Sequence, residues 1–419
     1  MKTTSGRSRT TTTTSAAPLR RPAGRRQAAR DDLVIALHEP VFSGREWRYL
    51  KECLDSGWVS SSGGFVDRFE ETARGALGAR HAVAVVNGTA ALHLALRAAG
   101  VSRDCEVLVP SLTFIATANA AAYLGAVPRF VDCEGTTLGM DPDSVADYLR
   151  LKARLSAGAC VDKDSGRRIA ACVPVHAFGH PARLDRIIEV CGRWRIPVVE
   201  DAAESLGSTF QGKAAGTFGL LGCLSFNGNK IITTGGGGMV VTSDRRLAAL
   251  VRHLSTQAKA DPATYRHDMV GYNYRLPGIN AALGCAQLEA LDAFVQKKRR
   301  IAGWYREALS GAKGLSLLWE PPQSRSNFWL NTVLADSPAR ARALMKRLAS
   351  RAVECRAPWK PCHLQGIHEP LSAGTLGVCE RVWRTAFNVP SSASLSRDDV
   401  RRVGRLLSPK RDAGRGSRP

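Results

Sequence analysis

The sequence predicts an α/β protein: a large domain on a mainly parallel sheet, followed by a smaller C-terminal α+β domain. Short apolar, β-branched runs alternate with helical stretches from residue 81 to residue 226. Those runs are mostly apolar, as expected of strands covered by helices on both faces. With 419 residues and 44% hydrophobic content, the chain can bury one large core and a second, smaller one.

Taken in order, residues 46–57 read as a short helix and 57–64 as a loop of small polar residues. A second helix over 65–78 follows from the spacing of Phe65, Phe69, Ala73 and Leu77. Residues 81–86 form a strand, and Asn87-Gly88-Thr89-Ala90-Ala91 opens a helix reaching Gly100. Strands at 106–109 and 127–131 alternate with helices at 115–124 and 142–151. Strand 168–175, helix 184–194, strand 197–200 and strand 222–226 continue the alternation. From Leu283 to Leu309 one long helical pattern leaves this domain, which spans 33–290. Residues 291–408 then mix a strand at 328–334 with helices at 337–349 and 396–407. No internal repeat is present.

The net charge of +22 raises the question of nucleic acid, and its distribution answers it. Residues 1–30 hold eight Lys and Arg and no acid, and the last fifteen residues hold a net four positive charges. More than half of the excess therefore lies in these two end segments, within which the tails 1–32 and 409–419 are expected to be disordered basic extensions. The N-terminal tail is too short for a helix-turn-helix module, so no specific nucleic-acid partner is expected. Its acid-free, Arg-rich composition also resembles an organelle transit peptide, the less favoured alternative. No stretch is apolar enough to span a membrane, and the first thirty residues lack the apolar run of a secretory signal. The eleven Cys are scattered singly with no CxxC, which suggests reduced thiols in cytoplasm. Cys362, His363 and His368 lie close together, but their spacing matches no zinc pattern, and no metal is expected.

In parallel sheets, ligands bind just past the carboxyl ends of the strands. Three positions there carry chemistry. Strand 197–200 ends in Asp201. Strand 222–226, which contains Ser225, leads into Asn227-Gly228-Asn229-Lys230. Gly88 and Thr89 open a helix whose first N–H groups make an anion site. Each has a plain structural explanation: a helix cap for the acid, a solvated side chain for the lysine, another cap for Gly-Thr. Together they supply what a pyridoxal-phosphate (PLP) site requires. A lysine amine condenses with the cofactor aldehyde and moves protons, and a carboxylate keeps the pyridine nitrogen protonated. Helix-end N–H groups and a hydroxyl such as that of Ser225 hold the phosphate. The run Gly235–238 is not followed by Lys-Ser or Lys-Thr, so it is no P-loop. It reads as backbone that must pass close to a neighbour.

From about Leu37 to Leu407 the sequence resembles the DegT/StrS-type family of sugar-nucleotide aminotransferases. The resemblance rests on Gly57-Trp58-Val59-Ser60, Asn87 to Leu92, Val109-Pro110-Ser111-Leu112-Thr113-Phe114 and Pro174-Val175-His176. Glu200 to Glu204, Ser225 to Lys230 and Gly271-Tyr272-Asn273-Tyr274-Arg275-Leu276 complete it. It implies the aspartate-aminotransferase-like fold (fold type I PLP), PLP as cofactor and a homodimer with shared active sites. By the same resemblance, Lys230 is the Schiff-base lysine and Asp201 the partner of the pyridine nitrogen. Gly88, Thr89 and Ser225 hold the phosphate, and Phe114 stacks on the ring. Glu204 stands near the cofactor where a glutamine is usual. Asn273 reaches the neighbouring subunit's cofactor phosphate, and His176 and Arg275 lie near the substrate. Glu204, Asn227-Gly228-Asn229 and Gly236 depart from the commonest pattern. They are similar to the LegC-like branch, as are Ser255 to Lys259 and Trp329-Leu330-Asn331. That branch implies a UDP-linked 4-keto-6-deoxy-N-acetyl-hexosamine as acceptor and glutamate, leaving as 2-oxoglutarate, as donor. A GDP-4-keto-6-deoxymannose aminotransferase is the alternative. A sugar dehydratase of this fold carries His in place of Lys230, and a DNA-binding regulator would need a further domain.

Overall fold

In the computed structural model, which describes residues 34–261, 263–367 and 376–408, one twisted sheet organises the first two thirds of the chain. Its strands are β1 (His81–Val85), β2 (Glu106–Pro110), β3 (Val127–Val131), β4 (Ile169–Cys172), β5 (Val199–Asp201), β6 (Leu221–Ser225) and β7 (Gly238–Thr242). A four-stranded and a three-stranded ladder join through parallel bridges Cys172–Val198 and Val175–Asp201, giving the order β1-β7-β6-β5-β4-β2-β3. β7 is antiparallel to both neighbours, and the other pairs run parallel. β2 and β7 are buried at every residue, as strands covered on both faces must be. The basic tails expected at 1–32 and 409–419 lie outside the described residues, as does His368.

Local chemistry sets the helix starts. Asn87, Asp141, Asp244, Ser337 and Ser396 each accept a backbone N–H at a helix N-terminus, and Pro follows at Asp141 and Ser337. The helical pattern expected as one element over 283–309 is two helices, Gly278–Glu289 and Leu291–Ala308, broken at Ala290. No Gly or Pro marks the break. It re-aims the chain so that Leu288 and Leu291 both enter one apolar core.

Beyond it, Leu315–Leu317, Asn331–Ala335 and Ala386–Val389 form a three-stranded antiparallel sheet. This sheet shares a core of Ile301, Tyr305, Leu344, Phe387 and Val403 with Ile35 from the start of the described chain. The strand expected at 328–334 begins only at Asn331, because Phe328 takes a positive φ of 48°. Its N–H and that of Trp329 turn to the Ser326 and Asn327 side chains instead of a ladder. No helix among the described residues is long and apolar enough to cross a membrane.

Candidate active site

Three loops at the carboxyl edge of the sheet converge. After β1, Asn87 caps the helix Gly88–Ala98 by accepting the Ala90 N–H at 2.8 Å, which leaves the N–H groups of Gly88 and Thr89 at the open end. A Cβ on Gly88 would stand 2.8 Å from Ser225 Cβ at the end of β6. Only glycine lets this helix start touch Ser225. Gly238 serves the same junction, since a Cβ there would lie 2.3 Å from the Asn87 carbonyl oxygen. The glycine run is therefore a close backbone approach.

Asp201 ends β5 and is buried. Its Oδ2 accepts from the Thr117 hydroxyl at 2.8 Å and its Oδ1 from the Ala203 N–H at 3.1 Å. Burial pushes the carboxyl above its ordinary pKa, against the pull of those bonds.

Lys230 follows β6, with its Nζ 3.4 Å from Glu204 Oε1 and 4.2 Å from the centre of the Trp329 ring. Glu204 also accepts the Phe178 N–H at 2.9 Å. Burial raises Glu204 to about 7, and the adjacent Lys230 ammonium only partly opposes it. The Trp329 indole N–H donates to the Asn229 carbonyl at 2.6 Å, so the segment before the lysine is tied to the C-terminal sheet.

These groups border one cavity of about 450 Å³, with Phe114 on its wall. The fold also brings to it His38, Arg356 and Trp359, which sequence reasoning did not single out. Trp359 stacks on Phe178 with ring centres 4.6 Å apart. Nothing in the local sequence pointed to the segment 356–359.

Three of the expected site residues do not reach this cavity. His176 is fully buried, its Nε2 3.0 Å from Glu200 and its Nδ1 accepting the Ala182 N–H. Glu200 in turn accepts the N–H groups of Gly216, Phe218 and Gly219, so the pair closes a turn behind Asp201. Arg275 is buried against Glu70 at 2.5 Å and donates to the Ala84 carbonyl. Asn273 is exposed, on a backbone bridge to Thr256. Of the neighbours Cys362 and His363, where no metal was expected, His363 bonds Ser111 Oγ at 2.6 Å and the Cys362 thiol faces the Thr113 carbonyl. No metal-ligating group of three occurs among the described residues.

The donor set suits PLP. A buried carboxylate with no ion-paired cation among the described residues can receive a protonated ring nitrogen, and a helix N-terminus joined to a hydroxyl can receive a phosphate. When bound, PLP supplies an aldehyde that takes up amino groups and a ring that withdraws electrons. On fold and site alike, this is a PLP-dependent enzyme of fold type I.

The chain belongs to the DegT/DnrJ/EryC1/StrS aminotransferase family, whose model matches residues 42–408. It is 39% identical to a Bacillus subtilis protein named as the pyridoxal phosphate-dependent aminotransferase EpsN, over 89% of this chain and 95% of that one. It is 37% identical to the GDP-perosamine synthase of Escherichia coli O157:H7, over 87% and 95% of the two chains. Among solved structures, DesI in the presence of its TDP-sugar product superposes with a TM-score of 0.79 at 30% identity, covering 90% of this chain and 92% of that one. The protein is a PLP-dependent sugar aminotransferase.

Proposed function

We propose that the enzyme transfers the amino group of glutamate to C4 of a UDP-linked 4-keto-6-deoxy-N-acetyl-hexosamine, for bacterial surface-polysaccharide or nonulosonic-acid synthesis in the cytoplasm. One observation carries the sugar assignment. Asn227-Gly228-Asn229 and Trp329-Leu330-Asn331, the segments similar to the LegC-like branch, meet through the Trp329–Asn229 hydrogen bond beside Lys230.

The roles follow from position. Lys230 would hold the cofactor through its amine, and that amine, when free, would serve as the base that moves a proton at the reacting carbon. Asp201, oriented by Thr117, keeps the ring nitrogen protonated. Gly88, Thr89 and Ser225 hold the phosphate, Phe114 covers the ring, and Glu204 keeps a carboxyl beside the lysine. Asn273, exposed and off this cavity, serves a second copy in a homodimer, and Arg275 stands on the same loop. Sedimentation of an active enzyme as a strict monomer would remove the shared site.

The deciding assay supplies glutamate with UDP-4-keto-6-deoxy-N-acetylglucosamine or GDP-4-keto-6-deoxymannose. A site that hydrogen-bonds the acetamide should favour the first by on the order of a hundredfold in kcat/KM. The match to a GDP-perosamine synthase favours the second substrate as the alternative, and faster turnover of the GDP sugar would establish it.

A further inference from the structure

We propose that His38 determines specificity for the keto-sugar, donating an N–H to an acceptor oxygen beside the carbon that receives nitrogen; this rests on the sugar-aminotransfer reading above. Residues 35–39 form no helix and only one isolated bridge, yet they are fastened on both sides. Ile35 exchanges backbone bonds with Ala352 and Glu354 at 2.8 and 2.9 Å. The Leu37 N–H donates to Glu354 Oε2 at 2.9 Å, and the Leu37 carbonyl accepts the Ser391 N–H at 2.8 Å. The Glu39 N–H donates to Ser392 Oγ at 2.8 Å. These bonds fix a strap that sets the His38 ring in the wall of the Lys230 cavity.

The ring is left with hydrogen-bonding capacity. Its Nδ1 is shut away from solvent without a partner. Burial, with the ammonium groups of Lys298 and Lys230 nearby, holds the ring uncharged. A buried orphan N–H is rarer than a bare acceptor, which puts the proton of the neutral ring on Nε2. That N–H has no partner among the described residues. A neutral donor suits a sugar hydroxyl or acetamide oxygen, while a carboxylate calls for a cation such as Arg356 on the same wall.

The test uses holoenzyme and single turnovers, reading the glutamate and keto-sugar half-reactions separately by absorbance. His38→Ala should slow the keto-sugar half-reaction about tenfold or more beyond any change in the glutamate one. His38→Gln, which keeps an N–H donor, should recover most of that loss. Run in parallel on the two sugars named above, a defect confined to the N-acetyl sugar assigns the acceptor to the acetamide, and a defect in both assigns it to a shared hydroxyl. Equal slowing of both half-reactions, or of neither, overturns the proposal alone. A parent enzyme silent toward glutamate overturns the donor named in the proposed function instead.

Discussion

Asp201→Asn removes one charge and little else. In the folded chain, Oδ2 takes the Thr117 hydroxyl and Oδ1 the Ala203 N–H. An amide keeps both bonds, its oxygen on Ala203 and its NH₂ donating to the Thr117 oxygen, because a hydroxyl accepts as well as donates. Thr117 can then turn its proton to Thr113 Oγ1 at 3.0 Å or the Phe114 carbonyl at 3.2 Å. What disappears is negative charge in a buried site. Hydrogen bonds to charged groups contribute about 1.5–3 kcal/mol, so the glutamate half-reaction should slow roughly ten- to a hundredfold. Stability should move the other way. Burial raises the folded pKa of Asp201, so the folded chain holds this proton more tightly than the unfolded one. Its contribution therefore falls as pH rises from the ordinary carboxylate range through the folded pKa. At pH 8 the cofactor-free Asn variant should melt no lower than its parent. Stopped-flow absorbance with saturating PLP and circular-dichroism melts measure both. A glutamate rate within threefold of the parent would refute the role of Asp201, and a lower apo Tm would refute the burial argument.

Lys230→Ala should leave no measurable turnover, and borohydride reduction of the yellow parent should fix the cofactor to the peptide containing Lys230, as read by mass spectrometry. Gly88→Ala forces a methyl to within 2.8 Å of Ser225 Cβ, and overpacking of this kind costs about 1–3 kcal/mol. PLP affinity, measured by fluorescence titration, should weaken roughly tenfold or more, with near-parental secondary structure. Because Glu204 rises to about 7 from 4.5, the cofactor-free protein should lose stability as pH climbs between those values, by up to about 3 kcal/mol. Glu204→Gln should flatten that slope in denaturant melts at pH 5 and pH 8.

Apart from β7, the antiparallel strand after the glycine run, the sheet and its carboxyl edge were legible because short apolar runs alternating with helices build a parallel sheet, and the rule for carboxyl ends then names the next residue. Asp201, Lys230, Gly88 and Ser225 meet for that reason. His176 shows the limit of the rule. It also follows a strand, but its ring turns to Glu200, and position along a chain does not say which way a side chain turns. The far wall was illegible for a different reason. His38 is fastened by residues more than three hundred positions away, in segments without periodicity, where no local pattern records the pairing. The break at Ala290 was hidden similarly, since an apolar period runs on through it when neither Gly nor Pro intervenes.

Lys298 explains how that far wall is held. Its side chain is fully buried, and its Nζ donates to the Trp329 carbonyl at 3.0 Å, the Ser391 carbonyl at 2.7 Å and Ser391 Oγ at 3.3 Å. Burial lowers its pKa to about 7, so keeping the proton there has a cost. A hydrophobic residue of similar size would avoid that cost but would leave the two carbonyls without this donor. Three donors on one tetrahedral nitrogen suit three converging acceptors, where the planar fork of arginine would not. The acceptors also matter for what they carry. Trp329 lies over Lys230 and bonds Asn229, while Ser391 holds the Leu37 carbonyl next to His38. One buried ammonium thus ties the indole beside Lys230 to the strap that presents His38. Loosening it should disturb both together, although Lys298 has no place on the cavity wall.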